Sequence, residues 1–336
     1  MSASPRPAPG AAPRPVTDAA PRPGEAVPVG AAVSGPPSVH PRRPLTVGVV
    51  GGGRVGAVLG AALHAAGHRV VAASGGSGAT RARIALLLPD AAHLDVPATA
   101  RAATDLLLLA VPDDALAGVV SGLAGAGVLR PGQVVAHTSG AHGTAVLAPA
   151  VAAGAGVLAL HPAMTFTGTP DDLARLAGIS YGVTAPAGLR PLAARLVADL
   201  GGVPEWVAEA DRPLYHAALA HGANHLVTLV NEAVDRLRDA GVTQPEKVLG
   251  PLLRAALDNA LRLGDAALTG PVSRGDAGTV GKHLDRLAAT APESLAPYLA
   301  LARRTAVRAI AAGRLRPVDA ESLLGVLADR DREVVG

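Results

Sequence analysis

VGVVGGGRVGAVLG, Val47 to Gly60, sets a glycine-rich turn directly behind a run of β-branched residues. Gly51, Gly53 and Gly56 satisfy G-x-G-x-x-G, and the turn opens a helical pattern running to about Ala66. A strand, such a turn and a helix, in that order, form a cradle for a dinucleotide pyrophosphate. Gly51 permits the tight turn, Gly53 the close approach of backbone to phosphate, and Gly56 the close packing of helix on strand. The helix N-terminus, carrying Arg54 and Val55, offers free N–H groups and a partial positive charge to the anion.

The next strand bears on which dinucleotide binds. An NAD site places an acid about 20 residues past the glycines, on the ribose hydroxyls. Here RVVAASGGSGATRAR, Arg69 to Arg83, has Ser74 near that place and no acid before Asp90. Ser74, Ser77, Arg81 and Arg83 suit a 2′-phosphate held by charge-assisted hydrogen bonds, which favours NADP and leaves NAD as the alternative. The plainer reading has Arg81 and Arg83 solvating a helix face. Further on, Val111 and Pro112 end a buried strand where the crevice of such a fold lies, and Asp113 or Asp114 is placed to cap the following helix. Thr138, Ser139 and Gly140 end another strand, where small hydroxyls and free N–H groups suit a nicotinamide ribose or a substrate carboxylate.

Around this core the chain divides into three. Residues 1–43 are rich in proline and alanine, cannot bury enough apolar surface to offset ordering entropy, and are expected to be a disordered tail. Residues 44–209 alternate strand-length apolar runs with helical stretches, the pattern of a doubly wound parallel α/β sheet of Rossmann type. The expected strands are Leu45 to Val50, Arg69 to Ala73, Asp105 to Val111, Val134 to Thr138, Val157 to His161 and Ile179 to Thr184, with Trp206 on a last edge strand. Residues 210–330 are helical throughout, an all-helical domain expected to bind substrate and to pair two copies, since long alanine- and leucine-rich helices need a partner surface.

Composition removes several function classes. The 336 residues are 49% apolar and 17% charged, which suits two domains with real cores. The net charge of +3 rests almost wholly on scattered arginines, Lys247 and Lys282 being the only lysines. One Trp, three Tyr and one Phe cannot build a stacking platform, so no nucleic-acid partner is expected. With no cysteine there is neither a disulfide nor a thiolate zinc site. No apolar run reaches the ~20 residues of a membrane span, and the start lacks the apolar core of a signal peptide, so a cytoplasmic protein is expected.

Reducing a carbonyl needs a proton donor or a strong hydrogen-bond donor at oxygen, and histidine meets that need. Two candidates stand out: His161, ending VLALHP, and His216 on the first long helix of the second domain. Asn224 lies two turns beyond His216, diverging by roughly 80° around an α-helix, and is placed to orient a substrate oxygen. A satisfied core histidine is the plainer reading of either. His221 and His225 share a helix face, but HGANH lacks a glutamate and a third ligand, so no metal is expected. In GPVSRGD, Pro271 starts a turn and Arg274 either anchors an anionic substrate group or pairs with an acid such as Asp276. Thr279 and His283 lie one helical turn apart, placed to face the same cleft.

GVVGGGRVG, LAVPDDAL, HTSGA, LHPAMTF, YHAALAHGANHLVTL and TGPVSRGDAGTVGKHL together resemble a family of Rossmann-like oxidoreductases whose C-terminal part is a domain of unknown function, number 2520. That family is similar to the 6-phosphogluconate-dehydrogenase-like reductases, including pyrroline-carboxylate and ketopantoate reductases. The resemblance covers about Leu45 to Asp329. It implies a dimeric, nicotinamide-dependent reductase acting between its two domains on a small 2-oxo acid or an imine. Many β-hydroxyacid dehydrogenases and ketopantoate reductases carry K-x-x-x-N on the first long helix of the second domain, the lysine donating the proton. Asn224 matches the asparagine, but Ala220 stands where the lysine would be. Hydride transfer with His161 or His216 as donor, Asn224 as orienter, Ser139 and His283 as further substrate contacts and Arg274 as anchor is the expectation. The missing lysine also leaves a different class open, a sensor or scaffold that binds NADP(H) without turnover.

Overall fold

The computed structural model describes residues 43–335; apart from Arg43, the expected disordered tail lies outside them. The glycine turn joins β1 (Thr46–Val50) to α1 (Arg54–Ala65), followed by β2 (Arg69–Ser74), α2 (Gly78–Leu87), β3 (Ala92–His93), α3 (Val96–Ala102), β4 (Leu106–Leu109), α4 (Asp113–Gly125) and β5 (Val134–His137). Then come α5 (Ala148–Ala152), β6 (Gly156–Pro162), α6 (Asp171–Arg175), β7 (Ser180–Thr184), α7 (Arg190–Asp199) and β8 (Val203–Trp206).

These strands form one sheet in the order β3-β2-β1-β4-β5-β6-β7-β8. The first six run parallel, in the order of a doubly wound dinucleotide-binding fold. The order reverses between β1 and β4, so the crevice lies at the carboxyl ends of those strands. Both sheet faces are covered. Leu106 and Leu108 of β4 join one core with Val58 and Leu63 of α1 and Leu196 of α7. Leu107 and Leu109 join the other with Ala100 of α3 and Leu116, Val120 and Leu123 of α4. A strand buried on both faces has no polar side to show, which is why four consecutive leucines stand here.

Three expectations need correction. β7 pairs antiparallel with β6, His161 opposite Gly182, because α6 is too short to act as the crossover a parallel pair requires. β3, two exposed residues, is an edge strand whose sequence carried no apolar run. Neither Asp113 nor Asp114 caps α4: Pro112 occupies the cap position with no side-chain hydrogen bond, and both aspartates sit in the first turn.

From Arg212 the chain is helical: α8 (Arg212–Leu219), a π turn over Ala220–Asn224, α9 (His225–Asp239), α10 (Pro245–Leu263), α11 (Ala277–Thr290), α12 (Leu295–Ala311) and α13 (Pro317–Val335). The last three enclose their own core, including Val280, Leu284, Leu299, Ala306 and Leu323. By contrast, Val234 is the one buried residue of α9 and Pro245 that of α10, while Leu226, Val227, Val248, Leu252 and Leu257 are exposed.

Candidate active site

The glycine turn is built as the spacing requires. Gly51 adopts φ +88°, and a Cβ there would lie 2.5 Å from the Ala110 carbonyl oxygen; no other residue fits that conformation without strain. The N–H groups of Gly51 and Gly52 donate to the Ser74 carbonyl, tying the turn to the end of β2. At Gly56 an added Cβ would come within 2.2 Å of the Gly51 oxygen, whereas at Gly53 nothing lies within 4 Å. Gly56 therefore seats the helix on the strand, and Gly53 leaves the backbone open to a ligand. The α1 N-terminus has no acid in its first turn and no side-chain cap, so its N–H groups remain available to an anion.

This turn forms one end of a cavity of about 800 Å³, within the range of ligand sites. Gly51, Gly53, Arg54, Val55, Val111, Pro112, Ser139, His161, His216 and Asn224 all line it. Thr80, Gly75 and Gly76 close the end beside α2, and Met164, Thr165 and Phe166 border it from the strand-following loop after β6. That loop is anchored by Asp172, whose buried carboxylate accepts from the N–H groups of Thr167 and Gly168. Burial pushes the Asp172 carboxyl up, but these donors and Arg175 hold it below its ordinary value. Arg83 donates to the Gly168 carbonyl, fastening the same loop to α2.

Other expected residues lie outside the cavity lining. The Ser74 hydroxyl is buried with no partner, and Arg81 donates to the Gly76 carbonyl at the cavity edge. His283 pairs with the Tyr298 hydroxyl at 2.9 Å and lines a separate cavity between α9, α10, α11 and α12. Thr279 donates its N–H to Asp276, which caps α11, and Arg274 ends a 3₁₀ turn over Val272–Arg274. Neither Arg274 nor Thr279 lines the cavity at the glycine turn.

His216 and Asn224 do face that cavity together. The π turn between them takes in more residues than an α turn, which reduces the divergence an unbroken α-helix would impose. The same turn brings Leu219, Ala220 and Ala223 to the cavity wall, so Ala220, the residue four before Asn224, lies at the site.

The imidazole of His161 is held from behind. Its Nδ1 lies 3.0 Å from the Tyr215 hydroxyl, and burial pushes the pKa of that phenol up, so it keeps its proton. We assign the hydroxyl proton to the contact with Nδ1, which leaves the histidine proton on Nε2. The His161 and His216 rings meet edge to face at 6.2 Å. Gly140 fits between them: a Cβ there would be 2.7 Å from His216 Cδ2 and 3.0 Å from His161 Nε2. Burial, with the charges of His216 and Arg212, pushes the His161 pKa down to about 4.

Beneath the Ser139 to Gly143 loop, His137 Nδ1 accepts from the Ser139 N–H and Nε2 donates to the Gly143 carbonyl. Burial pushes this pKa down to about 4 as well. Arg212, fully buried, donates to the carbonyls of Ala159 and Gly182 and to the Thr184 hydroxyl, with Ser139 O at 3.5 Å. From the same segment, Glu209 accepts from the N–H groups of Thr144 and Ala145. The start of the helical part thus grips the loop that lines the cleft.

His137, buried, and His161, half-buried, carry a pH signature. Their folded pKa values, about 4, lie below the unfolded value of 6.5, so stability is full above about pH 6.5 and is lost as pH falls towards 4. Urea unfolding at pH 7 and at pH 4.5 is expected to show that loss, smaller in His161→Gln than in the wild type.

A strand, glycine turn and helix at the switch point of a mostly parallel sheet, followed by helices alone, define a Rossmann-type α/β protein with a helical C-terminal part. The chain contains a Rossmann-like domain over residues 32–162 and the domain of unknown function DUF2520 over residues 179–305. No curated protein matches the sequence. Among solved structures, a Bacteroides fragilis protein provisionally described as an NADP oxidoreductase is 20% identical at a TM-score of 0.65, covering 78% of this chain and 98% of its own. A reductive aminase from Aspergillus terreus, in complex with NADPH and ethyl-5-oxohexanoate, is 19% identical at 0.55, covering 87% of this chain and 95% of its own. Plasmodium falciparum pyrroline carboxylate reductase, with NADP bound, is 12% identical at 0.52 and covers 79% and 98%. At these identities the likeness is one of fold.

Proposed function

We propose that the protein is an NADPH-dependent reductase that acts on the C=O or C=N carbon of a small molecule, such as a 2-oxo acid or an imine. The observation that carries this is a single cavity with the glycine turn and open α1 N-terminus at one end and His161, His216 and Asn224 at the other. The residues fit the cofactor: Gly53 leaves open space for phosphate, and Arg54 adds positive charge beside it. When bound, the reduced nicotinamide supplies a hydride. Val111, Pro112 and Ser139 would border it, and Thr80, Gly76 and Arg81 the adenosine end. His161 Nε2–H, uncharged at neutral pH because its pKa is depressed, donates to the electron pair that gathers on the substrate heteroatom as hydride arrives, and Asn224 orients that atom. Met164 and Phe166 exclude water from the reacting face.

The assembly we infer is a homodimer through the helical part. The exposed apolar faces of α9 and α10, and the apolar cavity of about 790 Å³ between α9, α10, α11 and α12, are what two copies would cover. No helix among the described residues is long and apolar enough to cross a membrane.

Calorimetric titration tests the cofactor assignment. NADPH is expected to bind about tenfold or more tightly than NADH, as one charge-assisted contact provides, and Arg81→Ala should reduce the preference. Equal affinities would remove the 2′-phosphate from the account.

A further inference from the structure

We propose that the substrate taken by this cleft is a protonated imine, with Asp113 as its counter-ion. The inference rests on the reductase reading and names its substrate class. Two permanently charged side chains line the cavity among the described residues, Arg54 and Asp113. Arg54 belongs to the glycine turn, so the charge at the reacting end is the carboxylate. Asp113 opens α4 directly beyond the carboxyl end of β4. It makes no hydrogen bond or ion pair among the described residues, yet its field reaches both His137 and His161. A carboxylate lining a cavity without a partner is suited to an incoming cation.

No cation is placed to hold a substrate carboxylate there. Neither lysine and no arginine other than Arg54 lines the cavity. A 2-oxo acid would bring its own negative charge against Asp113, and its reduction would create a second one on oxygen. An iminium reverses both features. Its carbon accepts a hydride, with the electron pair, from the reduced nicotinamide; the C=N π pair withdraws onto nitrogen, and a neutral amine results. The positive charge lost by the substrate is gained by the oxidised nicotinamide ring. One positive charge is present before and after the step, so a fixed carboxylate is matched throughout and no proton leaves the protein. That fits a site whose His161 is held neutral and whose expected lysine is an alanine.

Three substrates of different charge test this with NADPH: 2-methyl-1-pyrroline, 1-pyrroline-5-carboxylate and ketopantoate. The expected order of kcat/KM falls from the carboxylate-free imine to the oxo acid. Asp113→Asn should lower kcat/KM for 2-methyl-1-pyrroline by about tenfold to a hundredfold while Asp114→Asn leaves it unchanged. A second readout needs no turnover: protonated 2-methylpyrrolidine, titrated into the cofactor-free protein and followed by NMR, should bind the wild type and bind Asp113→Asn at least about fivefold more weakly. Preference for ketopantoate, or equal amine binding by the two proteins, would overturn the proposal. Failure of the wild type to bind NADPH would overturn the reductase reading itself, a result separable from the amine titration.

Discussion

His161→Ala is expected to lower kcat by about 10²–10³-fold, the range of one lost positioned hydrogen-bond donor, while leaving the affinity for NADPH within about threefold. His161, one residue before the end of β6, lines the cleft and turns Nδ1 to Tyr215, which leaves Nε2–H on the side of Gly140, itself part of the cleft lining. Tyr215→Phe removes one oxygen and frees the imidazole to exchange tautomers. Its kcat should fall less, by about tenfold, and the ¹⁵N signature of His161 should shift from Nε2–H alone towards a mixture. The pH profile adds a sign. With its pKa near 4, His161 stays neutral through the working range, so kcat should show no inflection from it around pH 6.5. Normal kcat in His161→Ala would assign the donor role elsewhere, to His216 first.

The largest stability effect is expected at Arg212. Replacement by methionine keeps most of the apolar bulk but withdraws the donors from the carbonyls of Ala159 and Gly182 and from the Thr184 hydroxyl. Hydrogen bonds from a charged donor contribute about 1.5–3 kcal/mol each, and their losses do not add fully. The net expectation is a loss of roughly 3–5 kcal/mol, seen as a fall in urea midpoint at constant slope. Arg212→Lys should recover only part, because a point charge cannot reach acceptors spread across β6 and β7 as the planar fork does. A loss under about 1 kcal/mol would show that those carbonyls find other donors. Arg212 also approaches the Tyr215 ring at 5.7 Å, so its removal should loosen the support of His161.

Much of this architecture is legible in the sequence because it rests on local rules. Four leucines in β4 announce a strand buried on both faces, and three glycines at fixed spacing announce the turn. The glycine-turn end of the cavity follows from them: Gly51, Gly53, Arg54, Val55, Val111, Pro112 and Ser139 line one cavity. What was not legible depends on long-range packing. The direction of β7 is set by the connection before it, and the apolar pattern of a strand is the same in either direction. The π turn hides in AHGAN, whose small residues carry no mark of a widened turn, yet it decides that His216 and Asn224 share a wall. Arg212 reads as a surface charge because arginine is rarely buried. Tyr215 stands beside His216, but a one-residue step on a helix points elsewhere, and only the fold shows that elsewhere is His161. The sequence places Asp113 or Asp114 as a cap, and the absence of a side-chain cap bond at α4 leaves Asp113 available to the cleft.

The central claim is that hydride passes to substrate in this cavity. Single-turnover mixing of the protein with NADPH deuterated at the transferring position and with the imine and oxo-acid panel measures it directly. The account predicts deuterium on the former imine carbon, on one face only, and near loss of transfer in His161→Ala. Tight NADPH binding with no deuterium in any product would contradict it and leave a dinucleotide-binding sensor built on the same fold.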